Sequence, residues 1–234
     1  MPPQEPCPSN VISTESQLIR MRDDWDRRAS LNARHYAATD REAWSDEDFY
    51  ASGEEAVQRF ILNDTTNICR GKPPNEMRVL EIGCGAGRIT RALARLFGEV
   101  HAVDVSGEMV RLAREAVGEF PNAFIYQNNG MDLSVIPCKP FDFAFSCLVF
   151  QHIPSREIIH SYVHSVYRLL RPGGLFKFQA QGAATFESQP DDTWVGVAFS
   201  EEQIVQMAEA CGFEARYRIG VGRQDFWNWF FKPA

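Results

Sequence analysis

The sequence predicts an α/β fold, an open and mostly parallel sheet of seven strands with helices on both faces and an antiparallel hairpin at its C-terminal end. Three observations carry that expectation. From Met77 onward, short apolar runs alternate with segments whose apolar residues recur every three or four positions, the pattern of repeated β–α units. The loop in "RVLEIGCGAGRIT" has glycines at Gly83, Gly85 and Gly87 and joins the first strand to the next helix. The ending "ARYRIGVGRQDFWNWFFK" reads as two alternating runs joined near Gly220 to Gly222.

The elements follow in order. The Pro-rich start makes residues 1–14 a disordered tail. Leu18, Met21 and Trp25 recur at helical spacing, so a helix is expected from Glu15 to about Arg28. A second is expected from a capping box of Ser52 and Glu55 to about Cys69, where "GKPPN" breaks the chain. Residues 15–74 then form a helical extension, and 75–234 the sheet domain. "RVLEIG" is a buried parallel strand. The helix after it faces inward with Ile89, Leu93, Leu96 and Phe97 and is expected to stop at Gly98. "VHAVDVS" is the second strand, and Ser106 caps a helix with Met109, Leu112, Ala113, Ala116 and Val117 inside. "AFIYQNN" and "FDFAFSCLVF" are strands three and four. A helix burying Ile159, Tyr162, Val163, Val166 and Leu170 leads through "RPGG" to strand five, "LFKFQAQ". Ser200 and Gln203 form the capping box of the last helix.

Composition narrows the function. A chain of 234 residues, 44% hydrophobic, supports one large domain with an appendage. The net charge of −7, with both signs interspersed, argues against a nucleic-acid binder. No apolar run is long enough for a membrane helix, and "MPPQEPCPSN" lacks the pattern of a secretory signal. Cys7, Cys69, Cys84, Cys138, Cys147 and Cys211 are scattered with no CxxC pair, which reads as reduced thiols in a cytoplasmic protein. No metal site is expected. His160 and His164 lie off the apolar face of their helix and are read as solvated.

The glycine loop points to a ligand. Its spacing is G-x-G-x-G, with Arg88 where the dinucleotide fingerprint wants a third glycine, and it lacks the phosphate-loop lysine. Asp104 ends the second strand, placed to accept hydrogen bonds from a ribose diol that carries no phosphate.

Glu81 to Gly87, Asp104, "NNGMDL", "FDFAFSCLVFQHIP" and "LLRPGG" resemble, in order and spacing, the motifs of class I S-adenosylmethionine-dependent methyltransferases. The resemblance runs from Arg78 to about Gln181 and is specific for the family, not for a substrate. It implies a Rossmann-like sheet and S-adenosyl-L-methionine as cofactor. Glu81, Gly83 and Gly85 would approach its methionine part, and Asp104 its ribose. Met109 and Val105 would lie against the adenine, Asn129 would accept from its amino group, and Gly130 and Met131 would supply backbone contacts. Ser146 would face the methionyl end.

The segment "SCLVFQHIP" should face the methyl acceptor. It lacks the NPPY of adenine-N6 enzymes and the Pro-Cys of cytosine-C5 enzymes, and no paired-glutamate loop for arginine methylation is present. This favours transfer to N or O of a small metabolite or natural-product intermediate. Gln151 and His152 are the candidate catalytic side chains, imidazole being the better base near neutral pH. The N-terminal extension resembles a lid, with Trp25, Arg28 and Tyr36 as substrate-binding candidates and Phe186 and Trp194 at the rim. The alternatives are a protein or peptide methyltransferase and a cofactor-binding regulatory protein without turnover. Oligomeric state, monomer or dimer, is left open.

Overall fold

A strand apolar on both sides must lie inside a sheet covered by helices. Strand β4 (Phe141–Ser146) is buried at every position, and β1 (Arg78–Ile82) at all but its first. The computed structural model, which describes residues 13–183 and 193–234, shows the sheet this requires. Its other strands are β2 (Glu99–Asp104), β3 (Ala123–Gln127), β5 (Leu170–Ala180), β6 (Glu214–Ile219) and β7 (Phe226–Phe231). The order is β3-β2-β1-β4-β5-β7-β6. The first five are parallel, and β7 runs antiparallel between β5 and β6.

Helices cover both faces. On one, α6 (Arg156–Leu169) and α7 (Glu201–Ala210) bury Ile159, Val163, Ile204 and Met207 against Phe176 and Phe178. On the other, α2 (Asp46–Phe60) and α4 (Arg88–Leu96) bring Val57 and Leu93 to Val79, Phe143 and Phe145. Helix α5 (Gly107–Ala116) packs Val110 and Ala113 on Ala102 and Ile125. Helix α1 (Thr14–Ala37) is fastened to α5 by Asp26, whose Oδ1 accepts from Ser106 Oγ at 2.6 Å and Glu108 N at 3.1 Å. The capping boxes of the sequence divide: Ser200 and Gln203 cap α7 reciprocally, and Ser106 caps α5 through Met109 N.

The other box does not form. Helix α2 begins at Asp46, because Ser45 accepts from Asp48 N at 3.1 Å and three acids fill the first turn. Ser52 lies inside the helix, its hydroxyl donating to Phe49 O. The helix ends at Phe60, and the chain reaches Cys69 through a 3₁₀ turn and the short α3 (Thr65–Ile68). Helix α1 runs past Arg28 and kinks at Asn32, whose Oδ1 accepts from His35 N as an internal cap. Helix α4 ends at Leu96 with Phe97 extended as its C-cap, and Gly98 makes no left-handed turn; a Cβ there would stand 2.3 Å from Asn75 O. Leu170, read as helical, is the first residue of β5.

Candidate functional site

The loop glycines answer different demands. Gly85 has φ of +51°, in the left-handed region, and its N–H donates to Asp104 Oδ2 at 2.9 Å. A Cβ on Gly87 would stand 2.9 Å from Ala116 Cβ, so this glycine lets α4 start against α5. Gly83 and Gly85 line a cavity at the carboxyl ends of β1, β2 and β4. In an open α/β sheet, ligands bind there, where the strand order reverses.

Glu81 and Asp104 also line the cavity. Asp104 bridges two elements, accepting from Gly85 N through Oδ2 and from Ser106 N through Oδ1, each at 2.9 Å. Each oxygen keeps a lone pair for a further donor, such as a ribose hydroxyl. Burial pushes the Asp104 carboxyl up to about 6, opposed by the N–H groups of Ser106 and Gly85. Burial pushes Glu81 up to about 7, opposed by the Thr90 hydroxyl, 2.6 Å away, and by Arg88. Two acids poised near neutrality in one enclosure favour a cationic ligand, which would ionise them.

Val105 and Met109 line the same cavity, but Asn129 does not. Its side chain is spent locally, Oδ1 accepting from Met131 N at 2.8 Å and Asp132 N at 2.9 Å, and the residue is exposed. Asn128 takes the lining position and is 7% exposed. Its Nδ2 donates to Tyr162 Oη at 2.6 Å and Asp132 O at 3.2 Å, while Oδ1 is buried without a partner. Such an orphan costs about 1–3 kcal/mol. Beside a carboxylate suited to ribose, it fits the amino group of a purine. Gly130 and Met131 stay off the lining; Gly130 sits beneath α1, where a Cβ would meet Met21 Cε at 2.9 Å. Ser146 is also off it, fully buried, with its hydroxyl donating to Ile82 O.

The remaining wall is formed by Cys147, Leu148, Val149, His152 and Ile153, with Trp25 and Tyr36 from α1. Leu148 has φ of +61°, unusual for a branched residue, and its N–H donates to Gln179 Oε1. Burial pushes the Cys147 thiol up to about 12, so it is no nucleophile at neutral pH. His152 Nδ1 lies 2.5 Å from Trp194 O, a carbonyl that can only accept, so Nδ1 carries the ring proton. Gln151 Nε2 donates to His152 Nε2 at 3.1 Å, its own Oε1 being occupied by Gln179 Nε2.

Three further candidates stand behind this wall, not in it. Gln151 orients His152. Arg28 stacks on Trp25 and Trp194, 4.9 and 5.3 Å from their ring centres, and donates to Thr193 Oγ1. Trp194 packs 4.9 Å from the His152 ring. Phe186 lies outside the described residues, as does most of the expected tail. His160 is half-buried and His164 exposed. Among the described residues no three His, Cys, Asp or Glu side chains are grouped to hold a metal, and no helix is long and apolar enough to cross a membrane.

Asn128, Tyr162 and Val149 escaped the sequence reading. Tyr162 was legible as core, and a buried tyrosine hydroxyl that needs a partner was the available signal. Choosing Asn128 over its neighbour requires knowing which of two adjacent amides turns inward.

A family described as a methyltransferase domain matches residues 79–174. The malonyl-[acyl-carrier protein] O-methyltransferase of Priestia megaterium is 30% identical over 143 residues, 60% of this chain and 48% of that protein. The ubiquinone biosynthesis O-methyltransferase of Xanthomonas oryzae is 34% identical over 99 residues, 42% and 40% of the two chains. This chain thus spans half or less of these curated relatives. In fold, it resembles N-methyltransferase NodS of Bradyrhizobium japonicum in complex with S-adenosyl-L-homocysteine, with a TM-score of 0.66 at 17% identity over 92% of this chain and all of that one. It also resembles phosphoethanolamine N-methyltransferase 1 of Haemonchus contortus, with a TM-score of 0.69 at 16% identity over 95% and 50% of the chains. Sheet order and sequence match agree: residues 79–174 match a methyltransferase domain, and the fold is that of solved S-adenosylmethionine-dependent methyltransferases.

Proposed function

We propose that this protein transfers a methyl group from S-adenosyl-L-methionine to N or O of a small metabolite or natural-product intermediate. The supporting observation is a cavity whose lining brings Gly83, Gly85, Asp104 and Asn128 together with His152, Trp25 and Tyr36. The cofactor supplies a methyl group on a positively charged sulfur, open to in-line attack. Asp104 holds the ribose and Asn128 Oδ1 the adenine amino group. Gly83 and Gly85 give room to the methionyl end beside Glu81. Trp25 and Tyr36 roof the acceptor end, and in this reading residues 15–74 act as a lid that excludes water. A roof drawn from the chain itself favours a small acceptor over a protein or a nucleic acid.

Alignment of the acceptor lone pair with the methyl group supplies much of the rate, about 7–11 kcal/mol of barrier. His152 is the base in this proposal. The Trp194 carbonyl fixes its tautomer, leaving Nε2 basic, and an acceptor hydroxyl or ammonium replaces the Gln151 N–H at that nitrogen. The names of the relatives cover both O- and N-methylation, which supports either acceptor atom. The five described cysteines are all free, in keeping with a reducing, cytoplasmic setting.

The test is acceptor-dependent release of S-adenosylhomocysteine from a panel of phenols, carboxylic acids and amines. Turnover of one class supports the proposal. Tight binding of S-adenosylhomocysteine with no turnover across the panel would favour the regulatory alternative.

A further inference from the structure

Tyr162 sits on α6, 34 residues along the chain from Asn128, and the two meet in a buried hydrogen bond of 2.6 Å. Tyr162 is 4% exposed, and its ring packs on Phe150 at 5.9 Å between centres. A carboxamide has two faces to offer, an acceptor oxygen and a donor nitrogen, and a half-turn about its last torsion exchanges them. At Asn128 both amide protons are spent, on Tyr162 Oη and on Asp132 O, the first bond being the shorter by 0.6 Å. The oxygen is therefore the end left over, buried and unpaired, on a residue that lines the cavity next to Asp104. The backbone is tied as well: Asn128 N donates to Asp104 O at 3.0 Å.

We propose that Tyr162 is a positioning residue that holds the Asn128 carboxamide with its oxygen toward the cavity, making the site selective for a 6-amino purine over a 6-oxo purine. The inference rests on the methyltransferase reading and adds to it a residue that determines cofactor selectivity. A 6-amino group donates to Oδ1. A 6-oxo group sets oxygen against oxygen and leaves Oδ1 without a donor. Without the Tyr162 hydroxyl, one Asn128 N–H is orphaned, and only the longer bond to Asp132 O, 3.2 Å, opposes a half-turn that points an N–H into the cavity. Turned, it accepts the 6-oxo purine. A carboxylate at position 128 has no donor end to present, so it keeps its preference whether or not Tyr162 holds it.

The experiment is calorimetric titration of the intact chain with S-adenosyl-L-homocysteine and with its deaminated form, S-inosyl-L-homocysteine. The wild type is expected to prefer the adenosyl compound by about 10- to 100-fold, the range set by leaving one buried acceptor unpaired. Tyr162→Phe, which keeps the ring packing, is expected to bring that ratio to within about threefold of unity, mainly by weakening the adenosyl compound. Tyr162→Phe combined with Asn128→Asp is expected to restore the preference, an outcome that packing alone would not produce. If Tyr162→Phe weakens both compounds by the same factor, or leaves the ratio intact, the positioning role is overturned. Should Tyr162→Phe fail to fold by circular dichroism, Asn128→Asp and Asn128→Ala in the Tyr162 background decide: preference kept in the first and lost in the second supports the oxygen as reader, and any other pair of results overturns it. Binding of S-adenosyl-L-homocysteine without discrimination in the wild type overturns this inference alone. No binding at all overturns the methyltransferase reading with it.

Discussion

Asp104→Ala perturbs two things at once, and the structure separates them. The carboxylate accepts from Gly85 N and Ser106 N inside the protein, so its removal strands both donors. Ser106 is fully buried, so its stranded N–H is the costlier loss, while Gly85 faces the cavity and can be hydrated. At about 1–3 kcal/mol for the buried donor and less for the hydrated one, the variant should lose about 2–3 kcal/mol of stability. For a domain of this size, that lowers the melting temperature by about 4–12 °C. The variant remains folded. The ribose loses two charge-assisted hydrogen bonds of about 1.5–3 kcal/mol each, which weakens cofactor binding by about 10²–10⁴-fold. The assay is scanning calorimetry of the free variant, then titration with S-adenosylhomocysteine well below its melting temperature. Unchanged affinity in a folded variant would refute the ribose assignment. A lowered melting temperature with unchanged affinity would leave Asp104 as a brace of the loop alone.

The other expectations are narrower. Gly85→Val should abolish cofactor binding, because φ of +51° strains a branched residue and the new side chain enters the cavity; normal titration of the folded variant contradicts this. His152→Ala should lower turnover by about 10²–10⁴-fold near neutral pH, recovering in part under alkaline conditions, with cofactor affinity little changed. A small loss with an unchanged pH profile would mean alignment acts without a base. Burial raises Glu81 to about 7 and Asp104 to about 6, so the free protein holds protons that the unfolded chain has released. That stabilising contribution is complete below the ordinary carboxyl range, near pH ~4, and is lost as pH rises through the two raised values. Cationic S-adenosylmethionine favours the ionised acids, so its binding should tighten between about pH 5.5 and 8 with proton release. Titration in buffers of different ionisation enthalpy reads the protons released, and none would contradict the buried acids.

Much of the architecture was visible in the order of residues. Alternation of apolar runs with helical spacing is a local signal, and it marked each strand of the sheet as well as the caps at Ser106 and Ser200. The start of the second helix was misread: the structure caps it with Ser45, not Ser52, and Gly53 lies against the backbone of Arg88, where a Cβ would stand 2.0 Å from its carbonyl oxygen. That contact exists only once α2 packs on α4. The site divides in the same way. Glu81, Gly83, Gly85, Asp104, Val105 and Met109 belong to one contiguous β–α–β–α unit, and their placement around the cavity follows from the turn geometry of that unit.

The sequence by itself therefore determined the class of fold, the position of the cavity at the carboxyl ends of the central strands, and the lining residues that come from its first β–α–β–α unit. Periodicity, capping and glycine spacing act over a few residues, and residues close in sequence meet wherever the rest of the chain goes. Only the tertiary structure decided that Asn128, not Asn129, faces the cavity, that Tyr162 from α6 holds it, and that Arg28 packs against two indoles behind the wall. It also set His152 between Gln151 and the Trp194 carbonyl. These contacts join residues up to 166 positions apart, from Arg28 to Trp194, and depend on how helices seat on the sheet, a quantity that no short stretch of sequence contains.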